Sequence, residues 1–250
     1  MICESPPLVA LKQRLAGFEP ALPPERVALG VAPLDACLGG GLARARLHEI
    51  WPAEAADSPS ATGFALMLAR RASGPDGPII WIMDERGEQR RGPLYPPGLA
   101  ELGIDPARIL FVRAPDEKAL LRAAGDVVRS PAAGTAVIAP GGGASLLDLT
   151  TSRRLTLFAE RSGVTALLLR NADPQTPSAA TTRWRVKAGL SATLEANAPG
   201  PPAFLVDLLR QRDGTPTFGW QLEWDRDRAR FAPLSRHLAA DAGGGYLAAG

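Results

Sequence analysis

Hydrophobic positions along this chain fall into two rhythms. Leu8, Leu11, Leu15 and Phe18 recur at three- and four-residue spacing, which predicts a short amphipathic helix. "EPALPPE" (19–25) then breaks the pattern and reads as a linker. Beyond it, short continuous apolar runs alternate with helical stretches. Strands are predicted at 46–51 (RLHEIW), 78–83 (PIIWIM), 108–112 (RILFV), 135–139 (TAVIA) and 164–169 (VTALLL). Helices are predicted at 61–72, 116–129 and 145–162, with one helical turn at 98–102 and Asp116 as an N-cap. Apolar strands without alternation, separated by helices, imply a parallel sheet covered on both faces.

After residue 180 the helical spacers stop. "RWRVKAGLSATLE", "AFLVDLLRQRD", "WQLEWDRD" and "ARFAPL" read as strands joined by short connections, with turn chemistry in "RDGTPT". Trp220 and Trp224 share a strand face and Trp184 points away from Arg183 and Arg185, so all three are expected in the core. The expected fold is α/β: a mostly parallel sheet flanked by helices, with an antiparallel C-terminal edge. The expected organisation is an arm at 1–25, a core domain at 26–235, and a Gly-rich tail at 236–250.

Composition narrows the function. A chain of 250 residues, 46% hydrophobic and 22% charged, can build a core without disulfides or metal. Only Cys3, Cys37, His48 and His237 are present as soft ligands, at no metal-binding spacing, so no metal is expected. His48 has no nucleophile or paired acid nearby in sequence and reads as structural. The start of the chain lacks a signal-peptide pattern and no apolar run reaches membrane length, so a soluble cytoplasmic protein with no membrane contact is expected. A net charge of +2 makes no case for nucleic acid by itself.

"EIWPAEAADSPSATGFAL" (49–66) lies between an apolar strand and an apolar helix, where a nucleotide-binding protein keeps its phosphate loop. Such a loop needs glycines to wrap phosphate with backbone N–H groups, a lysine to neutralise charge, and a hydroxyl for magnesium. Here Glu54 and Asp57 would face the anion, no lysine occurs between Lys12 and Lys118, and the only glycine is Gly63. The magnesium-holding acid should follow "TAVIA", but Pro140 and glycines 141–143 stand there. Asp84 and Glu85 follow a strand and are the one acidic pair placed to activate water in an ATPase; without a nucleotide they read as a strand end or a partner contact. No cofactor and no catalysis are expected.

"VALGVAPLDACLGGGLARARLHEIW" (27–51) resembles the start of the RecA core, and "FLVDLLRQRDGTPTFGWQLEWD" (204–225) resembles its end. With "RARLHEI", "TRWRV" and "WQLEW" as the most specific pieces, the chain over roughly 8–235 is most similar to the ImuA family, RecA-like proteins of the bacterial inducible mutagenesis cassette. The resemblance implies an SOS-response role in DNA repair and translesion synthesis, without catalysis. The implied partners are an ImuB-like inactive Y-family polymerase homologue and an error-prone replicative-type DNA polymerase, with RecA and single-stranded DNA as further candidates. Carried over from RecA, the phosphate-loop Lys-Thr falls near Thr62 and Gly63, the magnesium Asp at Pro140, and the nucleotide-sensing Gln near Arg170 or Asn171. Only Glu85 or Asp84 keeps a match, to the water-activating glutamate.

Two surfaces are candidates for binding. Leu8, Leu11, Leu15 and Phe18 pack on a neighbouring subunit, on a partner, or on their own domain. Residues 153–187 carry seven basic side chains against two acidic ones, with Arg153, Arg154, Arg183, Arg185 and Lys187 as possible DNA contacts. The opposing reading is a solvated helix face and a charged, protected edge strand. Two other functions stay open: an ATP-dependent recombinase with an unorthodox loop, and a stress-induced division inhibitor.

Overall fold

The computed structural model describes residues 24–142, 146–171, 176–191, 198, 200–212, 214 and 216–234. The expected N-terminal helix with Leu8, Leu11, Leu15 and Phe18, and the tail at 236–250, lie outside the described residues. Strands β1 (Arg26–Val27) and β2 (Leu42–Ala43) form a small antiparallel ribbon around helix α1 (Ala32–Cys37). The main body follows as β3 (Leu47–Pro52), α2 (Ser58–Ser73), β4 (Ile79–Asp84), α3 (Glu85–Arg91), α4 (Pro96–Glu101), β5 (Ile109–Ala114), α5 (Glu117–Arg129), β6 (Thr135–Ala139), α6 (Leu149–Ser162) and β7 (Thr165–Leu169). Strands β8 (Thr182–Ala188), β9 (Ala203–Gln211), β10 (Thr217–Asp225) and β11 (Arg230–Pro233) complete it.

The sheet has nine strands in the order β11-β10-β9-β8-β3-β7-β6-β4-β5. Strands β8, β3, β7, β6, β4 and β5 are parallel, and β9, β10 and β11 add antiparallel to one edge. This is the α/β arrangement that the sequence predicts, with one correction: the strand at Thr182–Ala188, expected in the antiparallel edge, runs parallel to β3, and the antiparallel edge begins at β9. Residues 85–91 add a helix that the apolar pattern does not show, because "ERGEQRR" has no hydrophobic face. The Asp84 side chain starts it by accepting the Gly87 N–H at 2.7 Å. Asp116 caps α5 as expected, accepting the Ala119 N–H at 2.7 Å.

Two cores lie on opposite faces of the sheet. On one, α2 packs Phe64 among Trp184, Phe204 and Phe231, with ring centroids 5.2 to 5.8 Å away. Trp224 is buried there too, and Trp220 packs partly against it. Burying a side chain such as Phe64 stabilises by about 2–3 kcal/mol, so this cluster anchors the antiparallel edge to the parallel body. On the other face, α5 and α6 cover Ile80, Ile82, Ile138 and Leu168. Helix α2 begins three residues earlier than its apolar spacing indicates. Its first turn, Ser58-Pro59-Ser60, is polar, and Pro59 suits a helix start because its missing N–H would have no partner there. Among the described residues no helix is long and apolar enough to cross a membrane.

Candidate functional site

Five residues, 53–57, separate β3 from α2, with a short 3-10 turn at Ala55–Asp57. They connect the C-terminal end of a central parallel strand to a helix N-terminus, where open α/β sheets hold anionic ligands. The loop is closed on itself. The Glu54 side chain accepts the Asp57 N–H, and Asp57 Oδ2 accepts the Glu54 N–H at 3.1 Å, a reciprocal capping box. Asp57 Oδ1 accepts the Ala188 N–H at 2.9 Å, and the Ala53 N–H donates to the Val186 carbonyl at 2.7 Å. Both bonds tie the loop to β8. The backbone donors of Ala53, Glu54 and Asp57 are therefore spent inside the protein, and Asp57, buried, holds its carboxylate where an anion would approach.

The loop–helix junction also moves the expected lysine and threonine positions. Thr62 and Gly63 are not in the loop. They lie in the second turn of α2, where the Thr62 hydroxyl donates to the Ser58 carbonyl at 2.9 Å. The first turn, where a phosphate-loop Lys-Thr would stand, holds Ser58 and Pro59.

At the ends of β4 and β6 the expected acidic pair divides. Asp84 is buried, and its Oδ1 accepts both the Gly87 and the Gly141 N–H at 2.7 Å. It joins α3 to the loop after β6. That junction is tight enough that a Cβ on Gly141 would sit 1.9 Å from the Gly87 nitrogen. Glu85 is exposed at the start of α3. Arg91, from the same helix, donates to the Pro140 carbonyl at 3.0 Å and to Asn171 Oδ1 at 2.9 Å. Asn171 donates back to the Pro140 carbonyl at 3.1 Å. A guanidinium thus bridges the ends of β6 and β7, beside the position where a magnesium-holding acid was expected. Burial lowers the Arg91 pKa, and nearby Asp84 opposes that shift.

Arg170 and Arg183 are not surface cations. Both are buried around Glu49, in the middle of the sheet. Glu49 Oε2 lies 3.1 Å from Arg183 Nε, and Oε1 lies 3.8 Å from Arg170 Nη1 and accepts the Ser178 hydroxyl at 2.8 Å. Both guanidiniums lie over the buried Trp51 ring, 5.4 and 5.7 Å from its centroid. Burial pushes the Glu49 carboxyl up, and the two guanidiniums pull against that. On the other sheet face His48 is fully buried. Its Nε2 donates to the Ala43 carbonyl at 2.8 Å, which leaves Nδ1 to accept the Thr182 hydroxyl at 2.7 Å. Thr182 in turn accepts the Trp184 indole N–H at 2.7 Å. Burial holds the His48 pKa down at about 4, so His48 is neutral and structural.

The other basic candidates separate into two places. Arg153 and Arg154 are exposed on α6, where Arg154 borders a groove against α5 with Phe158. Arg185 and Lys187 are exposed on β8, and Arg185 pairs with Asp207 at 2.7 Å. Arg185 borders a cleft of about 700 Å³ with Pro52, Ala53, Glu54, Ser58, Arg90, Arg91 and Asn171. Arg90 and Arg91 escape sequence reasoning. Nothing in "ERGEQRR" indicates that these arginines border a cleft with the loop after β3; the one available signal is Asp84 followed three residues later by Gly87, a helix cap. Among the described residues no group of His, Cys, Asp or Glu is placed to hold a metal ion.

No protein-family model matches the chain. The chain is 31% identical over 212 residues to Protein ImuA of Caulobacter vibrioides strain NA1000 / CB15N, a match spanning 79% of this chain and 82% of the relative. Protein ImuA of Caulobacter vibrioides strain ATCC 19089 / CIP 103742 / CB 15 matches with the same identity and coverage.

Proposed function

The chain belongs to the ImuA family, and from that premise we propose that it is a non-catalytic, RecA-like accessory protein of damage-induced translesion DNA synthesis. Family membership supports a place in the inducible mutagenesis cassette. The finer reading is that the protein assembles the mutagenic machinery by protein contacts rather than by hydrolysing ATP. Its proposed partners are an ImuB-like inactive Y-family polymerase homologue and an error-prone replicative-type polymerase, with RecA and single-stranded DNA as further contacts. Its proposed location is the cytoplasm, where those partners work.

One observation carries the pseudo-ATPase reading: the Asp57 carboxylate takes the Glu54 and Ala188 N–H groups at the mouth of the loop. A triphosphate would have to displace that buried carboxylate. Helix-dipole attraction, about 1 kcal/mol, is too small to offset the repulsion and the lost hydrogen bonds. Ser58 and Pro59 bring no positive charge to the first turn of α2.

Calorimetry tests this. ATP with magnesium is titrated into the purified chain with and without single-stranded DNA. The expected result is no heat at high micromolar ATP, together with co-purification of the inactive polymerase homologue. Saturable ATP binding would return an ATP-dependent activity to first place, and failure of the homologue to co-purify would remove the assembly role.

A further inference from the structure

The cleft of about 700 Å³ meets a smaller one of about 240 Å³ at Ala53, Glu54 and Arg185. Together they run as a groove from α3, across the closed loop, onto the exposed face of β8 and β9. Four cations border it: Arg90 and Arg91 from α3, Arg185 and Lys187 from β8. Two anions, Glu54 and Asp207, oppose them, so the groove keeps a net positive charge: Asp207 is paired with Arg185, Glu54 is held in the capping box, and Arg91 is anchored to Pro140 and Asn171, which leaves Arg90 and Lys187 as its open cations. Arg90 is exposed and has neither a hydrogen bond nor an ion pair among the described residues. Arg91 leaves its buried Nε without a partner. The floor between the charges is small and apolar: Pro52, Ala53 and Ala55.

We propose that this groove receives an acidic peptide segment of a partner protein, with its carboxylates on the arginines and its backbone over the alanine-lined floor. The inference rests on the reading that the loop takes no nucleotide. Charge complementarity selects an anionic occupant, and guanidiniums bind carboxylates through paired N–H donors. A nucleic acid fits less well. Among the described residues Trp51 is the one aromatic side chain bordering the groove; it is 2% exposed and lies under Arg170 and Arg183, so its ring is closed to a stacking base. An extended peptide suits a groove that runs along a sheet face more than a compact phosphate does.

The test is fluorescence anisotropy on the full chain at low salt, with a fluorescein-labelled hexaglutamate peptide. Saturable binding is expected. Arg90→Glu should weaken it by roughly tenfold or more, the scale of a lost charge-assisted bond, at an unchanged melting temperature. Arg122→Glu on α5, outside the groove, should leave it unchanged. If Arg90→Glu lowers the melting temperature, Arg90→Ala replaces it and should weaken binding in the same direction. The proposal is overturned if the peptide does not bind, if Arg90 variants bind like the wild type, or if six-residue oligothymidylate displaces the peptide at lower concentration than unlabelled hexaglutamate does. ATP that binds and displaces the peptide overturns the closed-loop reading as well, whereas failure of the peptide alone overturns only this inference.

Discussion

Asp57 and Ala188 are bonded across 131 positions of sequence: the carboxylate Oδ1 accepts the backbone N–H at 2.9 Å. The same side chain accepts the Glu54 N–H. One buried carboxylate thus closes the loop after β3 and fastens it to the end of β8. Asp57→Ala leaves both N–H groups without this partner and should cost about 1–2 kcal/mol. A urea titration checks this as a lower midpoint with an unchanged slope. Opening the loop should not create ATP binding, because Ser58 and Pro59 still supply no charge.

Glu49 stands between two buried guanidiniums, and its removal should be the more damaging change. Glu49→Gln keeps the volume but removes the carboxylate that lies between Arg170 and Arg183. Breaking one side of a buried ion network costs about 3–5 kcal/mol. Glu25→Gln is the matched control, because Glu25 pairs with Arg44 at 3.0 Å on the surface, and exposed pairs contribute less than about 1 kcal/mol. Chemical denaturation of the two variants should differ by several-fold in stability loss. Equal losses would show that the buried network contributes no more than a surface pair.

His48 should give the protein an acid-sensitive step. Its folded pKa is about 4, against an ordinary 6.5 in the unfolded chain. Between these values the unfolded chain binds the extra proton, so stability falls as pH falls. The contribution is fully present above about pH 6.5 and is lost progressively toward pH 4, amounting to about 3 kcal/mol. Urea midpoints measured from pH 7.5 to 4.5 should fall more steeply for the wild type than for His48→Gln. Parallel curves would sink this assignment, because every other titrating group is common to both proteins.

Much of the fold was legible in the chain. Continuous apolar runs gave the five parallel strands from β3 to β7 in sequence, and the loss of helical spacers after residue 180 gave the antiparallel strands β9 to β11 but not the parallel direction of β8, which pairing with β3 sets. Periodicity is a local property, and burial on both faces writes it directly into the residues. Helix α3 left no such trace, because its contacts are made through caps and arginines rather than an apolar face. The missing lysine and the proline after β6 were equally readable, since an absent charge needs no geometry to be noticed.

The roles of the charged residues were settled only in three dimensions. In sequence, Arg170, Arg183 and Arg185 belong to one basic segment. In the structure Arg170 and Arg183 are buried against Glu49, while Arg185 stands at the groove with Arg90 and Arg91. A run of charge in sequence fixes how many cations exist. Which of them meet solvent depends on strand order, because β3 lies between β7 and β8 and sets Glu49 between their arginines. The sequence alone determined the α/β class, the family resemblance and the absence of a lysine from the loop after β3. Tertiary structure decided that the loop is fastened to β8 by its own carboxylate and which cations gather at the groove, because both depend on contacts between distant residues: Asp57 meets Ala188 across 131 positions, and Arg90 and Arg91 share a cleft with Arg185 of β8.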